Sequence, residues 1–237
     1  MKRFYKEVTV GQRDGFWHVL LDGRAVKTVG QRPQALPTQT LAEQLAAEWS
    51  AQGEEIDPAT FLYRDMADYA LDVIAPDPAQ AVRDLLPYGE TDTLCYRAEP
   101  GDALRREQDL VWEPLLRTAE ARHALRFERI GGIMHHPQPP ETLVRLEALL
   151  GALDPFALAA LRNLAGLAAS LVIGLSVLDG AASPEELWTA ASLEEDWQAE
   201  RWGRDAEAEA RRAHRREVFL AAAQFARLAA GQDNGEG

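Results

Sequence analysis

Phe16-Trp17-His18-Val19-Leu20-Leu21-Asp22-Gly23-Arg24-Ala25-Val26-Lys27 is the stretch from which the fold is read. A run of aromatic and β-branched residues meets Asp-Gly, a two-residue hairpin signal, and leaves again through Arg24 to Lys27. Upstream, Phe4 to Val10 has the same composition and is set apart by Gly11-Gln12-Arg13-Asp14-Gly15, which reads as a connection. A small antiparallel sheet follows. Its apolar face needs a cover, because an isolated hairpin set is marginal in water. The cover is a helix starting near Thr38-Gln39-Thr40, where Thr40 and Glu43 have capping-box spacing. Leu41, Leu45 and Trp49 recur on one face before Gly53 ends it.

From there the pattern turns helical. Asp57-Pro58, Asp77-Pro78, Asp154-Pro155 and Ser183-Pro184 each set a capping side chain before a proline at the first helical position. Pro87 and Gly89 read as the break of one helix. The following Asp92-Thr93-Leu94-Cys95-Tyr96-Arg97 fits no single element, and Arg126 to Ile130 fits a stray strand before Gly131-Gly132. Residues 156–178 form the most apolar run, but Arg162 and Asn163 interrupt it. Ala159, Asn163, Gly166, Ser170 and Gly174 make a small-residue stripe within it. A central buried helix with a close helix–helix contact explains this run better than a bilayer span. The expected class is α+β: an N-terminal α+β domain over 1–75, a larger helical domain over 76–230, and a disordered polar tail at 231–237.

The 237 residues carry a formal charge of −13 with 46% hydrophobic residues, ordinary globular material with enough apolar surface for a core. That charge argues against nucleic acid and anionic membranes as partners. Cys95 is the sole cysteine, so an intramolecular disulfide and a multi-cysteine metal site are both excluded. The start, Met1-Lys2-Arg3-Phe4-Tyr5-Lys6-Glu7, has neither the apolar region of a signal peptide nor the character of a transit peptide.

His135-His136 is the only histidine pair, and adjacent residues seldom face one metal, so no metal site is expected. Cys95 reads as a small buried hydrophobe. The chain has no phosphate loop, nucleophile elbow or dinucleotide fingerprint, and no cofactor is expected.

Leu193-Glu194-Glu195-Asp196-Trp197-Gln198-Ala199-Glu200-Arg201-Trp202-Gly203 makes the sharpest functional claim. Ser192 and Glu195 have capping-box spacing, which assigns Glu195 a structural role and leaves Glu194 for function. On a helix Glu194, Trp197, Gln198, Arg201, Trp202 and Asp205 share one face. Such a face is too polar for a core stripe and too aromatic for a solvated one, and Trp and Arg are enriched at interface hot spots. The alternative is a small hydrolase using Glu194, Glu195 or Asp196 as acid and base, which requires a pocket holding at least two of them. A third reading buries both tryptophans as core.

Set in order, several segments resemble the F1-ATP synthase assembly chaperone family whose members bind the unassembled alpha subunit. They are Arg3-Phe4-Tyr5-Lys6, Leu21-Asp22-Gly23-Arg24, Leu36-Pro37-Thr38 with Glu48-Trp49, and Thr91 to Arg97. Trp112-Glu113-Pro114-Leu115, Leu153-Asp154-Pro155-Phe156 and the acid–tryptophan segment complete the set. The resemblance implies an α+β domain followed by a helical one, no enzymatic activity, and a monomer that shields the beta-contacting surface of free alpha. It also implies a functional acid at Glu194 or Glu195 and a sensitive tryptophan at Trp49, which the residue pattern makes a core residue. Eukaryotic relatives carry a mitochondrial targeting extension; a chain without one fits a bacterial, cytoplasmic member. The partner-binding residues expected are thus Glu194, Glu195, Asp196, Trp197, Gln198, Arg201 and Trp202.

Overall fold

The computed structural model describes residues 1–132, 134–203 and 205–232. The chain forms two compact units: Met1–Pro78 with Asp154–Ala160 and the residues from Gln224 on, and Ala79–Leu153 with Leu161–Ala223. The tail expected to be disordered lies outside the described residues from 233 on.

In the first unit β1 (Val8–Arg13), β2 (Phe16–Leu21) and β3 (Arg24–Ala25) form an antiparallel sheet in the order β1-β2-β3. Both turns are Asp-Gly pairs with positive φ, 53° and 82° at Asp14-Gly15 and 48° and 77° at Asp22-Gly23. Such pairs match the twist of the strands they join. Gly11, Gln12 and Arg13 therefore belong to β1, paired with His18, Trp17 and Phe16, and not to the connection. The strand correspondingly begins at Val8 rather than Phe4.

Helix α1 (Gln39–Ser50) covers the sheet, with Leu41, Ala42, Leu45 and Trp49 buried. Its cap is Thr38, whose hydroxyl accepts from Leu41 N at 3.2 Å, and not Thr40. Trp49 is a core residue, as the residue pattern implies: its ring lies 5.5 Å from Tyr5 and 4.6 Å from Phe61. The adjacent Glu48 caps α2 (Leu62–Tyr69), accepting from Tyr63 N at 2.7 Å and Arg64 N at 2.9 Å. Late residues complete this unit. Tyr63 Oη donates to Gln224 Oε1 at 2.8 Å, Thr38 Oγ1 donates to Leu228 O at 2.7 Å, and Phe156 stacks on Phe225.

The second unit holds α3 (Pro78–Glu90) from Ala79 on, β4 (Tyr96–Arg97), α4 (Ala103–His123), β5 (Ile130–Gly131) and α5 (Pro140–Gly151). It continues with most of α6 (Pro155–Ala168), then α7 (Leu171–Leu178), α8 (Pro184–Ala191), α9 (Leu193–Trp202) and the larger part of α10 (Ala206–Ala229). Pro87 and Gly89 lie inside α3 instead of ending it. Gly89 is there for closeness: a Cβ would fall 2.7 Å from Leu146 Cδ1 and 3.1 Å from Leu171 Cδ2. The stray strand is real but two residues long, and it pairs in parallel with β4.

The apolar run at 156–178 is two helices, not one. Ala169 takes φ 49° and Ser170 caps α7 by accepting from Ile173 N at 3.1 Å. The break is held from outside by the segment that fits no single element in sequence. Thr93 N and Oγ1 both donate to Ala169 O, and Asp92 accepts from Val172 N at 2.8 Å. The small-residue stripe serves the resulting hairpin, since a Cβ on Gly174 would sit 2.6 Å from Leu161 Cδ1 and 3.5 Å from Ala165 N. No helix among the described residues is long and apolar enough to cross a membrane.

Two measurements check these packing arguments. Gly174→Val should destabilise by about 1–3 kcal/mol in urea unfolding, because the helix pair cannot open to admit the side chain. Burial pushes the Asp92 carboxyl up to about 6 despite its hydrogen bonds from backbone amides. An acid whose folded pKa exceeds its unfolded value loses stabilising effect as pH rises between the two. The stability advantage of the wild type over Asp92→Asn should therefore shrink from pH 4 to pH 6 and then level off.

Candidate functional site

Helix α9 carries the acid–tryptophan segment, and the groups that place it come mainly from α4. The buried stripe of α4 runs Gln108, Trp112, Leu116, Ala119, so one amide occupies a core position. Trp112 is fully buried and its Nε1–H donates to Ala190 O at 2.8 Å, fixing the end of α8. Gln108, also fully buried, uses both ends of its amide. Its Oε1 accepts from Ala98 N at 2.8 Å and its Nε2 donates to Glu194 Oε1 at 2.6 Å. The residue that follows β4 is thus tied through one side chain to the start of α9.

Around β4 the charges are matched. Arg97, 1% exposed, donates to Leu94 O at 2.8 Å and Asp109 Oδ1 at 2.8 Å, and its guanidinium lies 5.5 Å from the Trp112 ring. Glu113 receives Arg129 at 3.0 Å and Arg117 at 3.1 Å. Burial alone would raise the Glu113 carboxyl, but these hydrogen bonds hold it below its ordinary value.

Ser192 does not form the expected capping box with Glu195. A capping side chain needs extended backbone. Ser192 sits at φ −90°, ψ 3° because it also closes the C-terminus of α8, with its N–H bonded to Trp188 O. Glu195 is free of that role and pairs with Arg215, accepting from Nη2 at 2.8 and 2.6 Å. Asp196 pairs with Arg212 at 2.6 Å. Three acids in a first turn also suit the helix dipole. Each carboxylate turns to a different partner, Gln108, Arg215 or Arg212, and they do not converge on one another as an acid/base pair would.

No residue of α9 is fully buried. Trp197 is half-buried with the Arg201 guanidinium 4.1 Å over its ring, while Gln198 and Arg201 are exposed. Trp202 is 80% exposed, the most open large apolar side chain of the described residues, so the reading of both tryptophans as core fails for it. Asp205 is not on this face: Gly203 ends the helix with φ 90°, and Asp205 caps α10 by accepting from Ala208 N at 3.0 Å. Gln108, Arg212 and Arg215 are the partners that sequence reading missed. The only local signal for Gln108 is an amide four residues before Trp112 on an otherwise apolar stripe.

Elsewhere, Cys95 is fully buried, and burial pushes its thiol up. His135 lies 3.4 Å from Tyr96 Oη, and His136 contacts the Pro137 carbonyl. The described residues contain no group of three or more His, Cys, Asp and Glu arranged for a metal.

The chain as a whole has counterparts among known proteins. A family model described as ATP12 chaperone protein matches residues 2–120. The chain is 25% identical over 218 residues to "Protein atp12, mitochondrial" of Schizosaccharomyces pombe, covering 85% of this chain and 74% of that protein. The crystal structure of Atp12 from Paracoccus denitrificans superposes with a TM-score of 0.90 at 38% identity, over 96% of this chain and 98% of that one. A single-residue mutant of the Paracoccus protein matches with the same TM-score and identity, over 96% and 97%. The chain therefore belongs to the ATP12 chaperone family.

Proposed function

We propose that this chaperone of ATP synthase assembly binds the free alpha subunit and shields its beta-contacting surface until the hexamer forms. The single observation that carries the choice of site is the state of α9, a helix held rigidly from below and left open above. Trp202 stands 80% exposed beside the Trp197–Arg201 stack. An exposed indole on a firmly anchored helix loses little freedom when it docks, which is how preorganisation raises affinity.

The client surface comprises Trp202, Trp197, Gln198 and Arg201, with Glu195 at its edge. Glu194 and Asp196 contribute by tying the helix to Gln108 and Arg212, and Glu194 also presents charge at the half-buried base of the face. An unassembled subunit exposes apolar interface that would otherwise aggregate. A cap with a net charge of −13 keeps the pair soluble. The chaperone works as a monomer in the bacterial cytoplasm and catalyses no reaction. The hydrolase alternative loses its basis in the divergent partners of the three carboxylates.

Affinity capture of purified alpha subunit tests this. The wild type should bind, and Trp202→Ala should raise Kd by about tenfold or more, the loss typical of an aromatic hot spot. Its urea midpoint should stay unchanged, because Trp202 packs on little. Glu194→Gln keeps an acceptor for Gln108 and removes only charge, whereas Glu194→Lys removes both. A graded loss, Lys worse than Gln, is expected. Binding indifferent to Trp202→Ala and Glu194→Lys in folded protein removes α9 as the site, and failure of the wild type to bind alpha removes the client.

A further inference from the structure

The first unit contains a cavity of about 650 Å³ that the α9 surface does not explain. Its rim carries Met1, Phe4 and Val29, exposed by 76%, 63% and 76%. Three of the nine exposed large hydrophobic side chains of the described residues thus gather on one opening, and gathering of this kind marks interaction sites. One wall is Trp49, itself 7% exposed, whose Nε1–H is buried without an acceptor.

The cavity is built rather than incidental. Asp68, buried in its lining, accepts from Gln34 Nε2 at 2.6 Å and from Val29 N at 3.1 Å, so it holds the loop that presents Val29. Asp22 accepts from the backbone N–H groups of Lys6 and Glu7 at 3.1 and 2.9 Å, holding the segment that follows Phe4. Both acids of the lining are therefore used by the unit's own chain. Arg24 and Lys27 also line it, exposed, and neither has a carboxylate within ion-pair distance among the described residues. The surroundings share that sign: residues 1–33 hold seven Lys and Arg against three Asp and Glu, in a chain of net charge −13.

We infer that this cavity is a second docking site for the client polypeptide, taking an apolar side chain from a segment that carries a carboxylate beside it. The inference rests on the proposal that the chain binds an unassembled subunit. The apolar rim supplies the anchor, and Arg24 and Lys27 supply the charge complement that selects and orients the segment. The cavity rim presents the exposed Arg24 and Lys27, whereas α9 offers Trp202 and the Trp197–Arg201 stack, so the two surfaces grip different stretches of a client.

The full-length chain and free alpha subunit serve for the test. Joint replacement Arg24→Glu with Lys27→Glu should weaken alpha binding by about tenfold at low salt, the range expected for charge reversal at an interface rim. Arg24→Lys with Lys27→Arg should bind like the wild type, and both should keep its urea midpoint. Independently, a benzophenone amino acid at Phe4 should cross-link to an alpha segment with an Asp or Glu next to an apolar residue. If the wild type captures alpha but the reversal leaves affinity intact, or the cross-link falls on a segment without that acid, this site is wrong and the client stands. If the wild type does not capture alpha, the client reading falls and this site falls with it.

Discussion

Two hydrogen bonds from the buried face of α4 set where α9 lies: the Trp112 indole to Ala190 O and the Gln108 amide to Glu194. Neither donor has water as an alternative, since both side chains are fully buried. Losing either partner would strand a polar group, at a cost of about 1–3 kcal/mol. The acceptors therefore cannot drift, and the short helix that follows inherits a fixed origin. Its far end needs no such support. Held at the half-buried Glu194 and open at Trp202, α9 grows more exposed along its ten residues.

The same logic explains the dense charge around β4. Arg97 would be intolerable at 1% exposure without Asp109, Glu113 and the Leu94 carbonyl to receive it. Burying an ion pair seldom adds net stability, but breaking one is costly. Such a network fixes geometry more than it deepens the energy well. Here it fixes Ala98, whose amide meets Gln108, and so it reaches the functional helix through one intermediate side chain.

Signals contained within a few residues were legible in the sequence; signals supplied from a distance were not. Asp22-Gly23 sets its own turn, and Ser183 caps the helix that starts at Pro184 as the Ser-Pro pair marks it. Leu41, Leu45 and Trp49 mark a buried face because a helix repeats regularly. By contrast, Ala169 has no intrinsic preference for φ 49°, and the apolar run breaks there because Asp92 and Thr93 bond to it from far along the chain. Ser192 failed as a cap for a related reason, since its backbone was already committed to the preceding helix. The aromatic and acidic character of α9 could be read directly. That Glu194 meets a buried amide, and Glu195 and Asp196 meet arginines of α10, depended on tertiary partners with no local mark.

The closing of the first unit by Gln224, Phe225 and Leu228 has a consequence for biosynthesis. A ribosome delivers Thr38 and Tyr63 well before the residues that engage them, and domains ordinarily fold as they emerge. Here the sheet and α1 are made first, yet that unit stays unfinished until Gln224 to Leu228 have been translated. The portion synthesised earliest thus reaches its final form only when segments from far along the chain come back to it. A protein that escorts unassembled subunits therefore passes through an unassembled stage of its own.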